Sequence, residues 1–162
     1  MHIVLLEPEI PHNTGAIGRT CHATGSTLHL IRPLGFSIDE RAVRRSGLDY
    51  WKDLDVRVYD DFAHFTRENV SARIFMATTK ARHSYADIAY RVDDYFMFGK
   101  ESAGIPEEIL LQCPENAIRI PMRPDMRSLN LSVSAGIVLY EALRQTGFAS
   151  LQREGQLHHH TW

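Results

Sequence analysis

An α/β domain, with a mostly parallel sheet flanked by helices, is the fold class this chain predicts. Three observations predict it. The strand candidates are continuous apolar runs, such as residues 2–7 (HIVLLE), 73–79 (RIFMATT) and 94–98 (DYFMF), as strands buried on both faces require. Stretches with helix start and stop signals alternate with them. The connections are short, which favours simple crossovers between neighbouring strands.

In chain order, residues 2–7 form the first strand, and Pro8 and Pro11 force an extended exit. Asn13 reads as the N-cap of a helix over 15–24 that Gly25 closes. Residues 27–32 are the second strand, ended by Pro33 and Gly35. Ser37-Ile38-Asp39-Glu40 has capping-box spacing and starts a helix through Ser46, stopped by Gly47. Residues 56–59 are a short strand, and Asp60 or Asp61 caps a helix carrying Phe62 and Phe65. After the strand at 73–79 a polar loop runs to Ala89. The strand at 94–98 ends at Gly99, and a loop leads to a short helix with Pro106 at its first position and Glu107 and Glu108 in its first turn. Residues 117–122 are the last strand. The final helix begins oddly, because Ser128, Asn130, Ser132 and Ser134 crowd its first turns, and such residues compete with helix hydrogen bonds.

At 162 residues the chain fits one domain, over 1–150, with 151–162 as a polar tail. The tail's His158-His159-His160 reads as solvated. A hydrophobic fraction of 44% against 23% charged residues excludes a disordered chain. The formal net charge of -2 argues against polyanion binding by bulk charge, while leaving room for recognition by well-placed arginines. Cys21 and Cys113 lack CxxC spacing and read as small buried hydrophobes in a reducing compartment. The N-terminus is a strand without the basic segment of a signal peptide. No apolar run approaches the roughly 18 residues of a membrane span. These features predict a cytoplasmic protein with no membrane association.

Three stretches carry chemistry. Gly15 and Gly18 after the first strand mimic part of a dinucleotide fingerprint, but the G-x-G-x-x-G spacing is missing and Arg32 stands where an acidic residue belongs. Arg19 shares the helix face of Gly15 and points toward the ligand edge. Gly99 and Gly104, five apart at a strand end, permit close backbone approach or positive φ, and a plain loop before a helix started by Pro106 is the other reading of the same residues. The third stretch is Ile120-Pro121-Met122 with Ser128-Leu129-Asn130-Leu131-Ser132.

Together, NxGxxxR (Asn13 to Arg19), FGxExxGI (Phe98 to Ile105) and IPM…SLNLSVSAG (Ile120 to Gly136) resemble the three motifs of the SPOUT class of RNA methyltransferases, in their order and separation. Two further stretches, LLEPEIPHNTG and PLGF…RRSGLDYW, are similar to the small tRNA wobble-position 2′-O-ribose methyltransferases of that class. The likeness runs from Met1 to about Phe148.

The resemblance implies a C-terminal trefoil knot, with small Ser132, Ser134, Ala135 and Gly136 where the last helix is threaded. It implies bound S-adenosyl-L-methionine, released as S-adenosyl-L-homocysteine, and a homodimer with the site near its interface. Carried over by position, Ala77, Thr78, Gly99, Gly104, Ile120, Met122, Ser128 and Leu129 hold the cofactor. Glu101 faces its ribose hydroxyls or cationic region. Arg19, from the partner subunit or nearby, and Asn130 serve catalysis, and Asn13 holds the Arg19 loop or the substrate. Arg41, Arg44 and Arg45 with Tyr50 and Trp51 suit phosphate contact and base stacking, although a solvated helix face fits the arginines equally. Arg123 and Arg127 are placed for substrate phosphate. Tyr140 is a dimer contact or a core tyrosine. No metal constellation is present and none is needed. The implied partner is a tRNA anticodon stem-loop, methylated at nucleotide 34, with leucine tRNAs as the substrates. Methylation of another tRNA or ribosomal RNA nucleotide, and a non-catalytic nucleotide-binding module, remain open readings of the sequence.

Overall fold

The structure is a computed structural model that describes residues 1–39 and 48–162. Seven strands form one sheet: β1 His2–Leu6, β2 Thr27–Ile31, β3 Val56–Tyr59, β4 Ile74–Ala77, β5 His83–Ser84, β6 Tyr95–Phe98 and β7 Ala117–Arg119. Every pairing is parallel, in the order β3-β2-β1-β6-β4-β7-β5. Among the described residues the helices are α1 Pro11–Thr24, α2 Phe62–Glu68, α3 Glu107–Leu110 and α4 Leu131–Gln145.

Alternate residues of each central strand feed two cores. Ile3 and Leu5 join Leu28, Leu30, Phe96 and Phe98 under α1 and α4. Val4 and Leu6 join Ile31, Met76 and Met97 against Phe65 of α2. The chain builds outward from β1 to β3 and then returns to the other side of β1. This places the switch point between β1 and β6, where the carboxyl ends of neighbouring strands leave a crevice.

Several boundaries differ from those expected. Helix α1 starts at Pro11, not after Asn13, because proline's fixed φ suits the first helical position. That leaves the Asn13 side chain inside the helix and available to other partners. Pro106 sits at the N-cap of α3 rather than one residue inside it. The N-cap of α4 is Asn130, whose Oδ1 accepts from the backbone N–H of Ser132 at 2.9 Å and of Val133 at 3.3 Å. β7 is three residues long, and the loop after β4 contains the two-residue β5, too short to leave a pattern. Asp61 caps α2 as expected. Cys21 is buried and its thiol is pushed up to about 12 by burial, but Cys113 is exposed, correcting the expectation for it. At Gly136 nothing lies within 4 Å of an added Cβ, so crowding within the chain does not demand glycine there. The helix expected from Ser37 runs into residues 40–47, outside those described. No described helix is long and apolar enough to cross a membrane.

The α2 side of the sheet encloses a polar chain. His2 Nδ1 meets His29 Nε2 at 3.0 Å, His29 Nδ1 meets the Tyr59 hydroxyl at 2.8 Å, and Asn69 Nδ2 donates to that hydroxyl at 3.4 Å. Burial, then the neighbouring His2, pushes His29 down to about 3; burial, then the N-terminal amine, pushes His2 down to about 4. An unfolded histidine titrates near ~6.5, so between that pH and the native values the unfolded chain binds protons that the native chain refuses. Stability from these groups is complete above the unfolded value and drains away as pH falls. His29 alone should cost about 2 kcal/mol at pH 5. Urea unfolding at pH 7.5 and 5.0 checks this. The stability lost between the two should be smaller by about that amount in His29→Gln, and an equal loss in both proteins would refute the assignment.

Candidate functional site

The loops leaving β1, β4, β6 and β7 at their carboxyl ends enclose a cavity of about 730 Å³. This lies within the roughly 300–1,000 Å³ of small-molecule sites. From the β4 loop come Ala77 and Thr78, and from the β6 loop Gly99, Glu101 and Gly104. From the β7 loop come Ile120, Met122, Ser128 and Leu129. All nine positions expected at the cofactor thus line one cavity, together with Asn13, Asn130 and Arg127.

The β6 loop owes its shape to a tight closure and to a reciprocal clasp with the segment after β1. Gly104 N donates to Lys100 O at 2.8 Å. The Glu9 carboxylate accepts from Ser102 N at 2.9 Å and Ser102 Oγ at 2.8 Å, which holds it below the usual carboxylate range. In return Glu101 accepts from Glu9 N at 2.9 Å, Ile10 N at 3.4 Å and Asn13 Nδ2 at 2.9 Å. Lys100 Nζ pairs with Glu7 at 2.8 Å, which raises the lysine. Glu101 therefore lines the cavity with both oxygens already occupied by protein donors. Its carboxylate also faces the opening of α1, where unpaired N–H groups and the helix dipole favour negative charge.

The chain of contacts continues through Asn13, which is only 5% exposed. Asn130 Nδ2 donates to Asn13 Oδ1 at 3.0 Å, while the Asn130 oxygen caps α4. Three sequence motifs are joined in this way by side chains: Glu101 to Asn13 to Asn130. Asn13 holds the β6 loop and the start of α4 onto α1, the helix that carries Arg19.

Arg19 does not line this cavity. It is exposed on α1 beside a second cavity of about 660 Å³, which Tyr140 of α4 also lines. Its guanidinium lies over the Tyr50 ring, 5.0 Å from the centroid. Tyr50 is only 8% exposed and its hydroxyl donates to the Gly15 carbonyl, so it is not available to stack a base. Trp51 packs on α1 as well, 3.1 Å from where a Cβ on Gly18 would stand. The glycines read as a partial dinucleotide fingerprint are thus the seats for these two aromatics. Arg32 pairs with Asp60. Arg123 is exposed and pairs with Asp125 at 3.6 Å, apart from the cavity. Arg41, Arg44 and Arg45 lie outside the described residues. Tyr140 is 48% exposed, which excludes a core tyrosine.

Sequence reasoning missed Glu9 and Ser102; the only signal was an acidic residue between two prolines beside a motif. It also missed Lys80, which lines the cavity and pairs with Glu107 at 2.7 Å. Among the described residues no group of three or more His, Cys, Asp or Glu is placed to hold a metal ion.

Comparison with known proteins agrees with this geometry. The SpoU rRNA Methylase family pattern matches residues 1–140. A protein of Escherichia coli strain K12 named tRNA (cytidine(34)-2'-O)-methyltransferase is 46% identical over 149 residues, covering 91% of this chain and 95% of its own. One of Methylovorus glucosotrophus with the same name is 47% identical over 148 residues, covering 91% and 96%. A structure solved for the 2-OH methylation of C/U34 on tRNA superposes with a TM-score of 0.84 at 45% identity, over 90% of this chain and 95% of that one. With residues of three motifs meeting at one cavity and likeness running almost end to end, the chain belongs to the SpoU rRNA Methylase family.

Proposed function

We propose that this protein methylates the ribose 2′-hydroxyl of nucleotide 34 in tRNA anticodon loops, with leucine tRNAs as substrates and S-adenosyl-L-methionine as methyl donor. The observation that carries the reading is the convergence of Ala77, Gly99, Ile120 and Leu129 on one cavity beside Asn13 and Asn130. The similar enzymes of E. coli and Methylovorus support the choice of nucleotide.

The residues present suit such a donor. Ile120, Met122 and Leu129 form an apolar slot for a purine ring, and the glycines of the β6 loop leave backbone groups accessible for polar contacts. When bound, the donor supplies an electrophilic methyl group on a sulfonium. The protein's task is to orient the ribose hydroxyl in line and to stabilise its growing negative charge. Arg19 fits the second role as a hydrogen-bond donor and fixed positive charge. It is no general base, since a guanidinium presents only donors and has no acceptor site for a proton. Asn130 and Asn13 keep the cofactor loops in register with α1, and Arg127 at the cavity rim suits a substrate phosphate.

In this reading the enzyme is a homodimer, and Arg19 serves the cavity of the partner subunit. Its exposure outside its own cavity supports that arrangement. So does the α4 face made by Val133, 50% exposed, Gly136 with open space around it, and Tyr140, 48% exposed. The threaded passage of α4 belongs to the same proposal, with Ala135 as its buried small residue. The protein acts in the cytoplasm as a single domain over 1–150.

The test is methylation of purified tRNA species in vitro, with mapping of the modified ribose. A 2′-O-methyl group at nucleotide 34 of leucine tRNAs is the expected product. Methylation confined to another nucleotide would overturn the target, and cofactor binding without transfer to any RNA would overturn the enzyme reading.

A further inference from the structure

Arginine is a poor anchor for its own charge. Its side chain carries about 2 kcal/mol of rotamer entropy, and an exposed guanidinium without a fixed partner samples many positions. Arg19 has such a partner in Tyr50. The two come from separate elements, α1 and the 3-10 turn Asp49–Asp53. Tyr50 packs along one stripe of α1 at residues 15, 19 and 22, spaced by four and three as one helix face requires. Gly15 supplies the space: a Cβ there would stand 3.8 Å from the Tyr50 hydroxyl and 3.3 Å from Leu48 Cδ2. The hydroxyl donates to the Gly15 carbonyl, the same carbonyl that the Arg19 N–H reaches in an α-helix. The His22 ring stacks on the tyrosine at 5.9 Å, and the Arg19 guanidinium lies over it at 5.0 Å.

The Tyr50 ring is therefore held at its hydroxyl end and packed along its length, and the arginine rests on a buried, hydrogen-bonded ring. Burial raises the Tyr50 pKa against the opposing charge of Arg19, so the phenol stays protonated and keeps its hydrogen bond. The contact is a cation–π interaction of an exposed guanidinium with a buried ring, inside the roughly 6 Å over which such contacts attract.

We propose that Tyr50 is the positioning residue for Arg19: its ring holds the guanidinium in the one orientation from which it stabilises the 2′-oxygen. This rests on the methyl-transfer reading above. It makes Tyr50 part of the catalytic apparatus without contact to RNA or cofactor, in place of the base-stacking role its neighbourhood in the sequence indicates. Tyr50→Leu removes the π face. Tyr50→Phe keeps the face and loses only the bond to Gly15.

The experiment is single-turnover methylation of a tRNA substrate by wild-type, Tyr50→Leu and Tyr50→Phe proteins, with thermal melting and calorimetric S-adenosylmethionine binding on each. Tyr50→Leu should lower the rate at saturation roughly tenfold. The KM for tRNA and the cofactor affinity should stay within about twofold, the error of a retained site. Tyr50→Phe should recover most of the lost rate even if its melting temperature falls as far as that of Tyr50→Leu. Equal rate losses in the two variants, a loss confined to KM, or a wild-type rate in Tyr50→Leu would each overturn the proposal. A wild-type protein that binds cofactor but transfers no methyl group to any RNA would instead overturn the reading beneath it.

Discussion

Arg19→Ala should reduce methyl transfer by about two to three orders of magnitude, the effect of removing one preorganised donor from a developing oxyanion. Affinity for S-adenosylmethionine should stay within about twofold, because the proposed role of Arg19 is toward the ribose hydroxyl and the positions expected at the cofactor are others. The fold should be unaffected as well, since Arg19 is exposed and its one described ring contact is with Tyr50. The magnitude also separates two mechanisms. If the arginine only anchored a substrate phosphate, its loss would appear as a raised KM for tRNA at unchanged maximal rate. If it stabilises the transition state, the rate falls at saturating tRNA. Single-turnover rates at saturating tRNA, with calorimetry for the cofactor, make the distinction. A variant within threefold of wild type would remove Arg19 from the chemistry.

Mixed dimers extend the same argument. If Arg19 of one subunit serves the cavity of the other, an Arg19→Ala subunit can be complemented by a partner with a damaged cavity but an intact arginine. Such a heterodimer retains one complete site. If the arginine served its own chain, no complete site would remain.

Much of this arrangement is legible in the sequence because the elements concerned are locally determined. The strands are continuous apolar runs, so the parallel α/β class follows from pattern, while the cavity-lining positions come from the resemblance that the three motifs carry. What is not legible are contacts made by side chains over long separations. Glu9 and Ser102 are 93 positions apart, and Asn13 and Asn130 are 117 apart. No local propensity registers such pairs. The placement of Asn13 shows how a local rule can mislead. Asparagine ahead of a glycine-bearing helix reads as an N-cap, yet Pro11 nucleates the helix two residues earlier and turns Asn13 into a tie between motifs. Tyr50 misleads for a similar reason. An aromatic beside a basic stretch looks available, and only the tertiary fit of its ring against Gly15 shows that it is buried.

Gly99→Ala should weaken S-adenosylmethionine binding roughly 100-fold, a loss of about 2.8 kcal/mol. A Cβ at this position would stand 2.0 Å from the Gly104 carbonyl carbon, 2.3 Å from its oxygen and 2.3 Å from Ile105 N. These are backbone atoms, and they have little freedom to retreat. Phe98 is 3% exposed and Ile105 2% exposed, so both ends of the loop are anchored in the core. The loop must therefore open, which breaks the Gly104 N–H bond to Lys100 and pulls Glu101 and Ser102 from their clasp on Glu9 and α1. One wall of the cavity moves with them. Gly104→Ala provides the contrast. Gly104 has φ of +74°, but nothing lies within 4 Å of its added Cβ, so alanine there meets only the left-handed backbone penalty of roughly 1–2 kcal/mol. Calorimetric titration of both variants, alongside circular dichroism to show the sheet intact, should find Gly99→Ala clearly the weaker binder. Equal losses would mean that backbone conformation, and not the close approach of the two loop ends, shapes this wall of the site.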